Sequence, residues 1–104
     1  MAKYLILYRA DKTMNEQMSG STPEEMKAGM DAWNAWAGKA GSAIVDFGNP
    51  TNPVDDAGGG QPVGGYSILE ATDTDALDQI LEGHPHAAQG GTIAIYEIMP
   101  MPGM

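Results

Sequence analysis

Residues 3–10, KYLILYRA, narrow the possible folds more than any other stretch of the chain. Extended, this run sends Leu5 and Leu7 to one side and Ile6 and Tyr8 to the other. A strand apolar on both faces belongs in the middle of a sheet that is covered twice. The remaining elements must therefore supply neighbours on both edges and cover for at least one face.

The next ten residues, DKTMNEQMSG, are polar and end in Ser-Gly, which reads as a loop. Thr22-Pro23-Glu24-Glu25 then combines a capping threonine, a proline at the first helical position and a glutamate placed to close a capping box. Met26, Met30, Trp33 and Ala37 recur at helical spacing, widened by Ala32 and Trp36, so residues 23–40 form a helix with one apolar face. Trp33 and Trp36 can anchor a core or an interface, or can wall an aromatic ligand. Residues 43–48, AIVDFG, read as a short strand in which Ile44 faces one side and Val45 and Phe47 the other. Residues 49–65 are rich in proline and glycine and carry no period, which predicts a flexible loop. Its three consecutive glycines follow Asp55 and Asp56 and precede no Lys-Ser or Lys-Thr pair, so they do not make a phosphate cradle. Residues 66–71, YSILEA, give a third strand. Asp73 or Thr74 caps a second helix with Ala76, Leu77, Ile80 and Leu81 on one face and Gly83 at its end. Residues 91–99 complete the set.

The order β-α-β-β-α-β within residues 1–104 predicts one α+β domain, a ferredoxin-like four-stranded antiparallel sheet with both helices on one face. Helices on one side leave the apolar residues of the other side bare. A second copy of the same face is the simplest cover, which predicts a homodimer joined through its sheets.

Composition removes several classes of function. Fourteen acidic against five basic residues give a net charge of −9, and the five bases form no run, so phosphate neutralisation on a nucleic acid is not expected. Without cysteine there is no disulfide and no thiolate chemistry. No segment reads as a signal peptide or a membrane span, and the expected location is cytoplasmic. No nucleotide-binding fingerprint is present, and no cofactor is expected.

Both histidines lie in EGHPH, residues 82–86. Gly83 and Pro85 can make this stretch nothing more than a helix stop, with His84 at the negative end of the helix. Alternatively, His84 and His86 are acid–base groups, since imidazole titrates near neutrality and a residue before proline is held extended. As metal ligands they number only two, short of a usable site. Asp46, a lone carboxylate in an apolar strand, either stands at a strand end in water or sits in a desolvating pocket, where it is the third catalytic candidate. Arg9 can clamp a substrate carboxylate or make an ion pair between subunits, and Tyr8, with Trp33 and Trp36, can line a substrate pocket or serve as a core and interface residue.

KYLILYRA, the Trp33–Trp36 pair, VDFGNP, GGYSILEA, HPH and IYEIMPMPG together resemble the YCII-related, DGPF-like family. That resemblance implies the dimeric α+β barrel fold. It also implies an acid–base couple of a histidine on the first helix and an aspartate before a proline after the second helix. A chlorinated-aromatic dehydrochlorinase is the best-known activity of the group. In this chain the first helix has no histidine, and His84 stands where the aspartate would be. Two functions follow as expectations. One is a cofactor-independent lyase or isomerase acting on a small aromatic or carbonyl compound by histidine-mediated proton transfer. The other is a non-catalytic small-molecule binder or accessory subunit.

Overall fold

The structure, a computed structural model, describes residues 1–11, 14–55 and 60–101. Its elements are β1 (Ala2–Arg9), α1 (Met14–Gly20), α2 (Pro23–Ala40), β2 (Ile44–Asp46), β3 (Val63–Ala71), α3 (Thr74–Leu81), α4 (Pro85–Ala88) and β4 (Thr92–Ile98), with a 3-10 turn at Gly41–Ala43. The strands make one antiparallel sheet in the order β2-β3-β1-β4. This is the expected ferredoxin-like arrangement.

β1 lies inside the sheet, between β3 and β4, as a strand apolar on both faces should. Tyr4, Ile6 and Tyr8 pair with Leu69, Ser67 and Gly65 of β3 and with Glu97, Ile95 and Ile93 of β4. These even-numbered residues of β1 are buried, with Leu69 and Ala71 beside them and Trp36 and Leu77 packed down from the helices. Each large side chain so covered contributes roughly 1.5–3 kcal/mol. The odd-numbered face is different. Leu5, Leu7, Tyr66, Ile68, Ala94, Tyr96 and Ile98 share it through the pairings Leu5↔Ile68, Leu5↔Tyr96 and Leu7↔Tyr66, and none of them is buried.

α2 begins as the sequence predicts. The Thr22 side chain accepts from the Glu25 N–H at 3.1 Å and the Glu25 carboxylate accepts from the Thr22 N–H at 3.2 Å. Its apolar stripe is only half used, however. Trp33, Trp36, Ala37 and Ala40 join the core, whereas Met26 and Met30 are 40% and 60% exposed. The Trp36 indole donates to the carbonyl of Ile80 at 3.0 Å, which fixes α2 against α3.

Three expectations are corrected. Residues 14–20 are helical rather than loop, a seven-residue element whose end is held by the Ser21 hydroxyl donating to the Gln17 carbonyl at 2.7 Å. β3 starts at Val63, ahead of Tyr66, because the first residues of the long segment pair with it: Pro50 bridges Gly65, and Thr51 donates from its N–H to Gly64 and from its hydroxyl to Val63. The middle of the segment expected to be flexible, 56–59, lies outside the described residues. Thirdly, the strand at 43–48 does not alternate through its length. A register shift between Ile44 and Asp46 interrupts the pairing, and Phe47 returns to the helix side, where it meets Trp33 and Trp36. No described helix is long and apolar enough to cross a membrane.

Candidate functional site

β1 and β2 both run antiparallel to β3, so their C-terminal ends lie at the same end of the sheet. There Tyr8, from the end of β1, and Phe47, just past β2, meet the two tryptophans of α2. The link between α3 and α4 drops His84 into their midst. The imidazole stacks on Tyr8 with centroids 5.0 Å apart and planes 26° apart. It lies 4.6 Å from Trp33, nearly perpendicular to it, and 4.4 Å from Trp36. His84 is fully buried.

Local sequence explains how a histidine comes to be there. Gly83 adopts φ +72°, the left-handed conformation that ends α3. Pro85 forbids helical geometry at His84, which is extended. His84 then caps α4: its Nδ1 accepts from the N–H of His86 at 3.0 Å, and its carbonyl accepts from Ala88. The expectation of a simple helix stop is therefore incomplete, since the same residue closes α3 and opens α4.

Burial, reinforced by the neighbouring charge of His86, lowers the His84 pKa from 6.5 to about 4, so the ring is neutral at pH 7. Its Nε2 has no hydrogen-bond partner among the described residues, although it is shut off from solvent. Tyr8, in contrast, is satisfied. Its hydroxyl donates to Ser67 Oγ at 2.8 Å, and Ser67 Oγ donates to the carbonyl of Phe47 at 2.6 Å. Burial pushes the Tyr8 pKa up, and the bond to Ser67 opposes this in part, so the phenol keeps its proton.

Of the seven residues singled out from sequence, the structure brings Tyr8, Trp33, Trp36 and His84 into one cluster and sets His86 at its edge, 5.4 Å from Tyr8. The His86 ring is half-buried and its Nε2 donates to the carbonyl of Arg9 at 2.7 Å. The ring rests on Gly91, where any side chain would collide with it. Arg9 thus borders the cluster through its backbone, while its guanidinium donates to the carbonyl of Gln61 at 3.0 Å. Asp46 is exposed, and its carboxylate accepts from the N–H of Gly48 at 2.8 Å, shaping the turn after β2. No described contact joins Asp46 to His84. Phe47 is the member that sequence reasoning missed, because strict alternation sends it to the opposite face. A shallow groove of about 480 Å³, lined among others by Ala32, Lys39, Pro85 and Ala88, runs along the outside of Trp36 and does not include His84. Among the described residues no three of His, Asp and Glu are grouped to hold a metal ion.

A ferredoxin-like α+β domain with an aromatic, histidine-centred cluster at one end of its sheet is the class that fold and site define. The chain belongs to the YCII-related domain family, which it matches over residues 2–102. Among solved structures it is similar to 5-chloro-2-hydroxyhydroquinone dehydrochlorinase from Burkholderia phenoliruptrix AC1100 in complex with 2,5-dihydroxybenzoquinone, at 17% identity and a TM-score of 0.58, covering 95% of this chain and 94% of that one. It is also similar to a protein of Arabidopsis thaliana, at 12% identity and a TM-score of 0.51, covering 100% and 99% of the two chains. At these identities the likeness is one of fold. No curated protein matches the chain.

Proposed function

We propose that the ring cluster binds a small aromatic or carbonyl compound and that the protein acts on it, as a lyase or isomerase, without a cofactor. The observation that carries this reading is a fully buried imidazole, one nitrogen unpartnered, walled by Tyr8, Trp33 and Trp36. A core position asks only for an apolar side chain of that volume, and an unsatisfied buried polar atom costs about 1–3 kcal/mol. A buried polar group with a lowered pKa and no partner is a candidate for contact with a ligand. The bound quinone of the similar dehydrochlorinase supports a planar, oxygen-bearing ligand.

Proton movement falls to His86 in this reading. Its Nε2 is engaged as a donor to Arg9, which leaves Nδ1 as the basic nitrogen, and the ring is only half-buried. His84, with a pKa of about 4, is too weak a base at neutral pH. That same property favours a second reading, a non-catalytic binder using the same cluster. The assembly proposed with either reading is a homodimer in which two copies cover each other's apolar sheet face.

Both tryptophans of the chain lie in the cluster, so their emission reports on this site, with Trp36 also bordering the groove beside it. Titration with 2,5-dihydroxybenzoquinone and a panel of small aromatic and keto acids should change that emission and raise the melting temperature. A ligand found this way is then assayed for turnover. His86→Gln should preserve binding and lower turnover roughly 10²- to 10⁴-fold. Binding with no turnover by wild type would leave the binder; no change of emission with any compound would remove the site.

A further inference from the structure

The hydrogen bonding around His84 decides which of its nitrogens carries the proton, and with it the chemistry the cluster recognises. A neutral imidazole has one donor and one acceptor nitrogen. Nδ1 lies 3.0 Å from the N–H of His86, a group that can only donate, so Nδ1 is the acceptor. The proton is therefore on Nε2. That nitrogen is the only buried side-chain nitrogen or oxygen without a partner among the described residues. We propose that His84 is a fixed Nε2–H donor for an acceptor oxygen of the ligand, a carbonyl or quinone oxygen, and that this bond sets the specificity of the site. The proposal rests on the reading of the ring cluster as a ligand site and goes beyond it by naming the group recognised.

The surroundings favour an acceptor over any other polar partner. A second donor, such as an ammonium or an amide N–H, would face Nε2–H with no lone pair between them. Three aromatic rings around the imidazole offer no competing acceptor stronger than a π face. A neutral donor in a dry site also polarises a carbonyl without having to give up a proton, so it strengthens as negative charge develops on that oxygen. His84 is in this sense a substrate-orienting and polarising group rather than the base.

Because Nε2 is sealed, the ligand reaches it only if one ring moves. Of the three rings against the imidazole, Tyr8 and Trp36 are each tied by a hydrogen bond. Trp33 is half-buried, no described hydrogen bond ties it, and the ring stacked behind it, 6.2 Å away by centroid, is Phe47, itself 38% exposed and just past the register shift in β2. The entry assigned by the geometry is therefore at Trp33, with Phe47 as its outer cover.

Two measurements test this on the intact protein. Nitrogen-15 chemical shifts of the histidine rings report the tautomer directly: His84 should show a protonated Nε2 and a pyridine-like Nδ1 at pH 7. A proton on Nδ1 overturns the proposal and leaves the ligand site standing. The second is a matched ligand pair, acetophenone and ethylbenzene, which differ by a carbonyl in place of a methylene. Wild type should bind the ketone roughly 10- to 100-fold more tightly, with a shift of the Nε2 resonance, because the hydrocarbon leaves the donor unpaired. His84→Phe, which keeps an aromatic ring and has no donor, should abolish that preference, and Phe47→Ala should tighten both ligands while keeping it. Equal affinity of wild type for the pair, or an Nε2 resonance indifferent to the ketone, overturns the donor role; failure of wild type to bind either compound, or any in the wider panel, removes the site and the proposal together.

Discussion

The two faces of the sheet are built from alternate residues of the same strands, yet they end in different states. On the helix side Tyr4, Ile6, Tyr8 and Leu69 are between 0% and 4% exposed. On the other side Leu5, Leu7 and Ile68 are only half-buried, and Tyr96 and Ile98 are 53% and 41% exposed. Apolar character is similar on the two faces, so hydrophobicity alone did not decide which is buried. The helices did. A face of this kind left bare is a poor match to water, and its composition makes sense when a second molecule completes the core.

The largest test of this contrast uses two neighbours on β3. Leu69→Ala removes a fully buried side chain and should lower stability by about 2–5 kcal/mol, read as a shifted urea midpoint. Ile68→Ala lies one residue away on the open face. If two copies cover that face, it should cost a comparable amount, appearing as a concentration-dependent melting temperature, and light scattering of wild type should give about twice 10.9 kDa. A wild-type monomer whose Ile68→Ala variant unfolds within ~0.5 kcal/mol of it breaks the idea that the faces are equivalent cores.

What was legible in the sequence follows the same physics. Period and caps placed α2, α3 and all four strands, because each of those elements carries either an apolar stripe or a stop signal. α1 was missed since in seven residues its two methionines, Met14 and Met18, make a single helical interval and no repeated period. α4 was missed because Gly83 and Pro85 mark an end so strongly that a new four-residue start directly after it is masked. In the site, Tyr8, Trp33, Trp36 and His84 were nominated as chemically capable residues, but their convergence depends on the antiparallel order that brings β1 and β2 to the same end. Phe47 depended on one register shift. A bulge has no compositional signature, and alternation is wrong for every residue beyond it.

A second test concerns the buried face through the charge it refuses. His84 has a folded-state pKa of about 4 against 6.5 when exposed. Above pH 6.5 both states are neutral and the residue contributes no pH dependence. As the pH falls from 6.5 toward 4 the unfolded chain takes up a proton that the folded one declines, so stability falls, by on the order of 3 kcal/mol in full. Carboxylates also titrate near the lower end, so the informative quantity is the difference between wild type and His84→Phe, measured by urea unfolding from pH 7.5 to 4.5. The variant should be flatter across pH 6.5–5. Parallel curves would mean that the imidazole is as free to charge in the fold as outside it.

The smallest effect sets the two faces against each other atom for atom, by removing one hydroxyl from each. The Tyr8 hydroxyl donates to Ser67 Oγ within the buried face, and Ser67 keeps its own bond to the carbonyl of Phe47 when the tyrosine oxygen is gone. Tyr8→Phe therefore leaves no donor orphaned and should cost only the net value of one hydrogen bond, about 1 kcal/mol. Tyr96 is 53% exposed in the single chain, so Tyr96→Phe exchanges a hydroxyl that water already serves and should change monomer stability by less than ~0.5 kcal/mol. Both substitutions keep the ring, so packing is held nearly constant and the comparison isolates the polar atom. Urea midpoints at low protein concentration give the monomer values, and repeating them at high concentration adds the partner. A Tyr96→Phe effect that grows with concentration to match that of Tyr8→Phe would show the open-face hydroxyl acquiring a buried partner on association, whereas one that stays near zero at every concentration places Tyr96 at the wet rim of any interface the face makes.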